Sequence, residues 1–228
     1  MNDDDTDDTE SGPWRIALDD GKVNALGTTS MTRIHAELDS ALENDAPAVI
    51  ISGRSGVLSA GFDLAEVRSG DEARENLRRQ LIDLVLRLFT FDRPVVVACT
   101  GHALAAGAAL LLAADRRVGL DGNFKLGFNE ASLGVTISGA TVELARYRMP
   151  MPYFESVVSG DTFPPLLAKS AGLLDVVVDE SDHVAEESLA AAQSLARVPR
   201  ATFTEMRRLT RGTVADAIRH ERSKLIES

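Results

Sequence analysis

Apolar residues along this chain fall into short continuous runs that alternate with longer stretches of helical spacing. The continuous runs at residues 48–52 and 95–99 predict strands that are buried on both faces. Between them, apolar residues recur every three or four positions over residues 71–91, which predicts a long amphipathic helix. Strands that alternate with helices are joined by crossover connections into parallel sheets, so the pattern predicts an α/β fold.

The rest of the chain continues this alternation. Further strands are predicted over residues 14–18, 117–120, 124–126 and 176–178, and further helices over residues 30–43, 105–114, 139–147, 153–159, 164–171, 184–195 and 203–226. Ser30 is a suitable N-cap for the first of these helices, because its hydroxyl can accept a backbone N–H. Residues 54–60 are predicted to form a loop that leads into a helical turn over residues 62–67.

Composition and charge narrow the class of protein. The chain has 228 residues, 44% of them apolar, and a net charge of −11, which is enough chain for one domain with a full core. Six of the first ten residues are acidic and none is basic, so residues 1–12 are predicted to form a disordered acidic tail. The remaining net charge of −5 argues against nucleic acid or an anionic membrane as a partner.

Other global features predict a cytoplasmic protein without a metal. No apolar run reaches the roughly 18 residues of a membrane span, and no secretory leader is recognisable. The single cysteine, Cys99, lies in an apolar strand and fits a reducing compartment. The four histidines are widely scattered, so no metal site is expected.

Two segments combine small residues with the start of a predicted helix, namely residues 59–64 (SAGFDL) and 100–107 (TGHALAAG). Small residues let a ligand approach the backbone closely, and the first N–H groups of a helix have no partner inside it. If the fold brings the two segments together, two N–H groups can donate to one oxygen, which is the arrangement of an oxyanion hole.

Other motifs follow in order: KVNAL at 22–26, RPVVVA at 93–98, Asp115, G-x-x-E-x-x-x-G at 127–134 and A-x-x-A-G-L-L-D at 168–175. Together with the two turns, they resemble the crotonase superfamily, the enoyl-CoA hydratase/isomerase family. The resemblance implies a spiral of ββα turns over residues 13–183. It implies a helical region over residues 184–228 that builds a homotrimer or a dimer of trimers. It also implies an acyl-CoA thioester as substrate, so coenzyme A is part of the substrate and no separate cofactor is expected.

The resemblance assigns roles to particular residues. The N–H groups of Phe62 and Ala106 match the oxyanion hole, and Glu130 matches a catalytic glutamate. The positions that contact the substrate or its coenzyme A are matched by Lys22, Val23, Ala60, Gly61 and His102. His102 is either a substrate contact or a supporting residue. The family usually has glycine where Ala106 stands, so the hole requires backbone angles there that suit a Cβ.

The acidic residues separate this chain from the hydratases of that family, which use two glutamates. One matches Glu130, but the other falls at Ala109, and residues 100–114 contain no acid. Hydration is served best by two carboxylates, whereas one can move a proton between two carbons. This pattern, with GFNE at 127–130, resembles the Δ3,Δ2-enoyl-CoA isomerases. The dienoyl isomerases have an aspartate where Ser138 stands, which argues against that subgroup.

Alternatives remain open at this stage. The leading hypothesis is an isomerase, beside a hydratase or an acyl-CoA hydrolase with one glutamate, and a catalytically inactive acyl-CoA-binding subunit. Asp63 is interpreted as a helix cap and Asp115 as a structural anchor. The last predicted helix carries a basic cluster of Arg207, Arg208 and Arg211. This cluster is interpreted either as a solvated face or as a contact with coenzyme A phosphates.

Overall fold

The computed structural model describes residues 12–227, so the predicted acidic tail lies outside the described residues apart from Gly12. The strands are β1 (Trp14–Ala17), β2 (Val49–Ser52), β3 (Gly56–Ser59), β4 (Val95–Cys99), β5 (Gly101–Leu104), β6 (Arg116–Leu120), β7 (Leu126–Gly127), β8 (Thr162–Phe163) and β9 (Val176–Val178). The helices are α1 (Thr28–Glu43), α2 (Leu64–Arg68), α3 (Asp71–Thr90), α4 (Ala106–Ala113), α5 (Gly139–Arg148), α6 (Met151–Phe154), α7 (Ser156–Ser159), α8 (Pro165–Ser170), α9 (Ser181–Ala196) and α10 (Arg200–Glu227). None of these helices, as far as the structure describes the chain, has the length and apolar character that crossing a membrane requires.

The strands are divided between two sheets. One sheet has the order β1-β2-β4-β6-β9 and the other the order β3-β5-β7-β8. All pairings are parallel except that of β7 with β8. Successive strands such as β2 and β3, or β4 and β5, lie in different sheets and lead into a helical segment. The chain therefore winds as ββα turns, and the predicted α/β spiral is confirmed.

The prediction of a loop over residues 54–60 was wrong, because β3 lies within it, and β5 lies within the small-residue segment at 100–107. A Cβ added to Gly101 would lie 1.9 Å from the carbonyl carbon of Gly56. The glycines thus allow these two strand backbones to approach closely. Strands this short and rich in small residues carry too few apolar positions to show the two-residue period.

The start of α1 also differs from the prediction. The N-cap is Gly27, and Ser30 lies three residues later, inside the helix. The Ser30 hydroxyl accepts the N–H of Gly27 at 2.9 Å, so it stabilises the first turn as the distal half of a capping box. The serine has the predicted stabilising effect from a different position.

Helix α4 lies in the centre of the core, and all its residues from Ala106 to Ala113 are buried. The C-terminal helices cover this core from two sides. Helix α9 packs on the five-stranded sheet, and α10 packs against α3 and α5. The predicted boundary after residue 183 falls in the first turn of α9, and the role of this region in trimer formation stays a prediction.

The last helix, α10, carries Arg207, Arg208 and Arg211, which were interpreted as a solvated face or as a contact with coenzyme A phosphates. Both interpretations were wrong for Arg207 and Arg211. Arg207 and Arg211 are only 6% and 7% exposed, and both pair with the buried carboxylate of Asp115. Asp115 also accepts the N–H of Val95 at 2.7 Å, which confirms its structural role. Because α10 packs against the core, these guanidinium groups face inward, and only Arg208 is exposed.

Candidate active site

A pocket of about 770 Å³ opens beside the two small-residue turns. Its wall is formed by the loop between β1 and α1, by the first turn (residues 59–64) with α2, and by one face of α3. The second turn (residues 100–107) and residues 129–141 complete the wall. The structure brings together here six of the eight predicted site residues: Lys22, Val23, Ala60, Phe62, Ala106 and Glu130. Gly61 and His102 are not among the lining residues.

The first turn leaves one N–H group without a backbone partner among the described residues. Leu26 donates its N–H to the Gly61 carbonyl at 2.8 Å, and the Asp63 N–H donates to the Leu26 carbonyl at 3.1 Å. Successive N–H groups of an extended segment point to opposite sides, so the N–H of Phe62 points away from Leu26. No backbone carbonyl in the described part of the chain accepts it. This donor is therefore available to a ligand.

The second turn supplies another free donor. Ala105 precedes α4 as its N-cap and donates its N–H to the Gly127 carbonyl at 3.0 Å. Ala106 is the first residue of α4, so its N–H has no partner inside the helix. The backbone at Ala106 is helical and accommodates a Cβ. The unusual conformation lies one residue earlier, because Ala105 has φ 52° and ψ −121°.

Gly61 determines how closely the two turns approach each other. An added Cβ at Gly61, where φ is +100°, would lie 2.9 Å from the Ala105 Cβ and 3.7 Å from the Ala106 nitrogen. The glycine thus lets the turns touch, and does not itself line the pocket. Phe62 and Ala106, whose N–H groups are predicted to form the oxyanion hole, both line the pocket beside this contact.

Glu130 is the candidate base of the site. It directly precedes a short 3₁₀ helix, Ala131–Leu133, and its Oε2 atom is buried without a hydrogen-bond partner among the described residues. Burial disfavours the charged form and raises the pKa of Glu130 to about 6. Val135 and Ile137 contribute to the apolar wall of the same pocket. A carboxyl group in this state is suited to exchanging a proton near neutral pH.

The other two acids that line the pocket are engaged in local structure. Asp63 accepts the N–H of Ala65 at 2.7 Å, which confirms its predicted role as the cap of α2. Asp20 accepts the N–H groups of Lys22 at 2.7 Å and Ala25 at 3.0 Å. Among the acids that line the pocket, Glu130 is thus the one whose carboxylate has an oxygen available to accept a proton.

The position where the hydratases have their other glutamate is buried in the core. Ala109 lies in the middle of α4 and is fully buried. It is not among the residues that line the pocket. The wall next to the second turn therefore offers no second carboxylate, as the sequence indicates.

His102 lies on β5 and takes part in supporting contacts. Its Nδ1 atom accepts the N–H of Lys125 at 3.0 Å, and its ring packs edge-on against Phe124 at 5.5 Å. Both contacts hold the end of β5 against the segment before β7. The structure therefore favours the supporting role over a substrate contact.

The loop that contains Lys22 and Val23 is attached to the first turn. The Val23 carbonyl accepts a hydrogen bond from the N–H of Ala60 at 3.0 Å. The Lys22 carbonyl accepts a hydrogen bond from Nη1 of Arg54, also at 3.0 Å. This pairing places the residues predicted to contact coenzyme A on one wall beside the two N–H donors.

Sequence reasoning missed several residues of the pocket. Arg74, Arg78 and Leu81 line it from α3, and Ser138 and Thr141 line it from the start of α5. The three α3 residues are spaced four and three positions apart, which places them on one helical face. The spacing was visible in the sequence, but nothing in it indicated which face meets the pocket.

The family model described as enoyl-CoA hydratase/isomerase matches residues 8–224. This chain belongs to the enoyl-CoA hydratase/isomerase family. A solved structure of an enoyl-CoA isomerase from Mycobacterium tuberculosis is 31% identical and covers 94% of this chain and 93% of its own, with a TM-score of 0.88. The human mitochondrial Δ3,Δ2-enoyl-CoA isomerase is 25% identical over 89% of this chain and 83% of its own, with a TM-score of 0.80.

Relatives with curated names include hydratases of this family. A probable enoyl-CoA hydratase of Mycobacterium bovis is 37% identical over 166 residues. That match covers 68% of this chain and 62% of the relative, so the chain spans less than two thirds of that protein's length. The comparisons therefore establish the family, and its similar members include both isomerases and hydratases.

Proposed function

We propose that this protein is a Δ3,Δ2-enoyl-CoA isomerase that uses Glu130 as its one acid–base group. The observation that carries the proposal is the set of acids in the pocket. Glu130 has a buried oxygen without a partner, while Asp20 and Asp63 are bonded to backbone N–H groups. Ala109 is buried in α4 and does not line the pocket. One available carboxylate beside two free N–H donors is the minimum that a proton shuttle needs.

The proposed reaction moves one proton along the acyl chain. The thioester oxygen accepts hydrogen bonds from the N–H groups of Phe62 and Ala106. The Glu130 carboxylate removes a proton from C2 of the 3-enoyl thioester, and the electron pair moves into a dienolate whose oxygen these donors stabilise. Glu130 then returns the proton to C4, and the double bond lies between C2 and C3. Each oxyanion donor of this kind is worth ~3 kcal/mol of barrier.

The other predicted contacts enter the proposal with two changes, and the first is that Gly61 is proposed to let the two turns approach each other rather than to contact the substrate. Lys22, Val23 and Ala60 line the pocket and are proposed to contact the coenzyme A part of the substrate. His102 is proposed as a supporting residue, because its ring nitrogen is occupied by the Lys125 N–H. Assembly as a homotrimer or a dimer of trimers, and a cytoplasmic location, remain part of the proposal.

Hydration is the second candidate, because a relative at 37% identity is named a probable enoyl-CoA hydratase. Glu130 would then have to activate the water and also deliver the proton. The remaining candidates bind an acyl-CoA in the same pocket. An acyl-CoA hydrolase would cleave the thioester bond, and an inactive binding subunit would leave the ligand unchanged.

The test is incubation of the protein with a medium-chain trans-3-enoyl-CoA, followed by identification of the products by mass and chromatography. A 2-enoyl product of unchanged mass is expected, and it should be absent with Glu130→Gln. Glu143→Gln is the control, because Glu143 lies on α5 outside the pocket lining. A product heavier by one water would support the hydratase, and release of free coenzyme A would support the hydrolase. Binding without turnover by either protein would support the inactive subunit.

A further inference from the structure

One wall of the pocket carries a positive charge that the proposed reaction does not use. Arg74, Arg78 and Leu81 share a face of α3, and all three line the pocket. Leu81 is only 5% exposed, whereas the side chains of Arg78 and Arg74 are 38% and 44% exposed. This face of α3 is apolar and buried at Leu81 and carries two partly exposed guanidinium groups toward its N-terminal end. The distance along the helix axis from Leu81 to Arg74 is about 10 Å.

These guanidinium groups have only weak local partners. Nη1 of Arg78 lies 3.8 Å from the Glu75 carboxylate, and no hydrogen bond of Arg78 is present among the described residues. Arg74 donates to Asp71 on its own helix and to the Val67 carbonyl at 3.3 Å. The Asp71 side chain is 94% exposed, so solvent screens this pair. Arg74 can therefore exchange its contacts for a ligand anion at little cost. Arg78 has no hydrogen bond to give up, but an anion that draws it away takes a cation from the mostly buried Glu75 carboxylate.

The position of α3 relative to the two N–H donors indicates which part of a thioester reaches it. The loop with Lys22 and Val23 is bonded to Ala60, on the N-terminal side of Phe62. Helices α2 and α3 follow on the C-terminal side, and Val67 and Leu81 form apolar lining there. Where the coenzyme A part faces this loop, as the family resemblance implies for Lys22 and Val23, the acyl chain of a thioester held at Phe62 and Ala106 extends along α2 and α3 toward the arginines.

We propose that Arg78, assisted by Arg74, binds a carboxylate at the far end of the acyl chain, so that the preferred substrates are acyl-CoA thioesters with a second, distal carboxylate. This inference rests on the proposed function only in taking an acyl-CoA thioester as the ligand of the pocket. A planar guanidinium group pairs with a carboxylate through two parallel hydrogen bonds, which a methyl-ended chain cannot form. Because both side chains are partly exposed, the pair forms without full desolvation.

The test measures binding and needs no turnover. Isothermal titration calorimetry gives the dissociation constants of saturated acyl-CoA and of ω-carboxyacyl-CoA of equal chain length, at a short, a medium and a long length, beside free coenzyme A. The protein is compared with Arg78→Gln, with the double variant Arg74→Gln and Arg78→Gln, and with Arg79→Gln. Arg79 follows on the same helix but does not line the pocket, so it is the matched control for loss of one charge.

We expect the ω-carboxy ligand to bind roughly tenfold more tightly at the chain length that reaches Arg78. Arg79→Gln should keep this preference, and Arg78→Gln should abolish it without weakening the methyl-ended ligand. Equal affinity at every length, or no binding of either thioester, would overturn the proposal. So would an equal loss of free coenzyme A affinity in Arg78→Gln, which would assign the arginine to the phosphates. A preserved preference in a protein without isomerase activity would refute the proposed reaction alone.

Discussion

Glu130 shows how burial prepares a single side chain for chemistry. Its carboxylate has an oxygen without a partner, and desolvation raises its pKa from 4.5 to about 6. The same burial that suits a base destabilises the folded protein at neutral pH, because the charged form is poorly solvated. The residue therefore links activity and stability to the same range of pH.

The stability effect of Glu130 has a definite sign. The folded protein binds the proton more tightly than the unfolded chain, so Glu130 lowers stability as pH rises from about 4.5 through about 6. We expect Glu130→Gln to raise the free energy of unfolding by about 1–2 kcal/mol at pH 8, and this gain should vanish below pH ~4.5. Urea unfolding across pH measures it. Glu143→Gln should change stability by less than about 0.5 kcal/mol at every pH, and a pH-independent gain in Glu130→Gln would contradict the explanation.

Ala105 holds a backbone conformation that favours glycine. A side chain at φ 52° and ψ −121° costs on the order of 1–3 kcal/mol, while glycine costs about 0.5–1 kcal/mol more backbone entropy. We therefore expect Ala105→Gly to stabilise the protein by about 0.5–2 kcal/mol in thermal or urea unfolding. Ala106→Gly is the control, because its helical backbone gains nothing and should lose about 0.5–1 kcal/mol. A destabilised Ala105→Gly would refute the assignment of strain.

At the scale of elements, two helices are tied to the core in different ways. Helix α4 is buried through apolar contacts along its entire length. Helix α10 is amphipathic and is joined to the core by the buried ion pairs of Arg207 and Arg211 with Asp115. Asp115 also bonds to the N–H of Val95 at the start of β4. One carboxylate thus connects the last helix, the end of α4 and the five-stranded sheet.

Removal of the charge at Asp115 should lower the free energy of unfolding, because the ion pairs that join α10 to the core are lost. Asp115→Asn keeps the shape but leaves two buried guanidinium groups without a counter-charge, and we expect a loss of about 3–5 kcal/mol in the free energy of unfolding. Arg208→Gln on the same helix removes an exposed pair with Glu205 and should leave the free energy of unfolding almost unchanged, because solvent screens that pair. Equal small losses in chemical denaturation of the two variants would show that the buried pairs do not anchor α10.

At the scale of the molecule, the described surface carries large apolar side chains in exposed positions. They include Leu133, Met151, Val158, Leu166 and Leu209, and Val158 is 79% exposed. Apolar side chains of this kind mark a partner surface where they form a contiguous patch. Leu133 also lines the pocket, so the site lies close to this surface.

Self-association of the chain would remove exposed apolar side chains from water. We expect light scattering coupled to gel filtration to give the mass of three or six chains at micromolar concentration. Replacement of Val158 by Asp should shift the mass toward the monomer if this residue is covered by another copy, whereas exposed Arg208→Gln should leave it unchanged. A monomer across the accessible concentration range would contradict the predicted trimer.

Local patterns carried much of the fold and part of the site. Strand β9 was predicted with its observed bounds, and α3 within one residue, because continuous β-branched runs and apolar spacing depend only on neighbouring residues. Strand β8 and the short strands β3 and β5 escaped prediction. Arg207 and Arg211 were misinterpreted, because the inward direction of α10 depends on contacts with residues about one hundred positions earlier.

The sequence by itself determined which chemical groups are available. It specified the alternation of strands and helices through local spacing, and it supplied Glu130 in the G-x-x-E motif and a stretch without acids over residues 100–114. Only the tertiary structure decided how they meet. It divided the strands between two sheets, brought Gly61 against Ala105, and turned the arginine face of α3 toward the pocket. These outcomes depend on contacts between distant segments, which no local pattern of residues encodes.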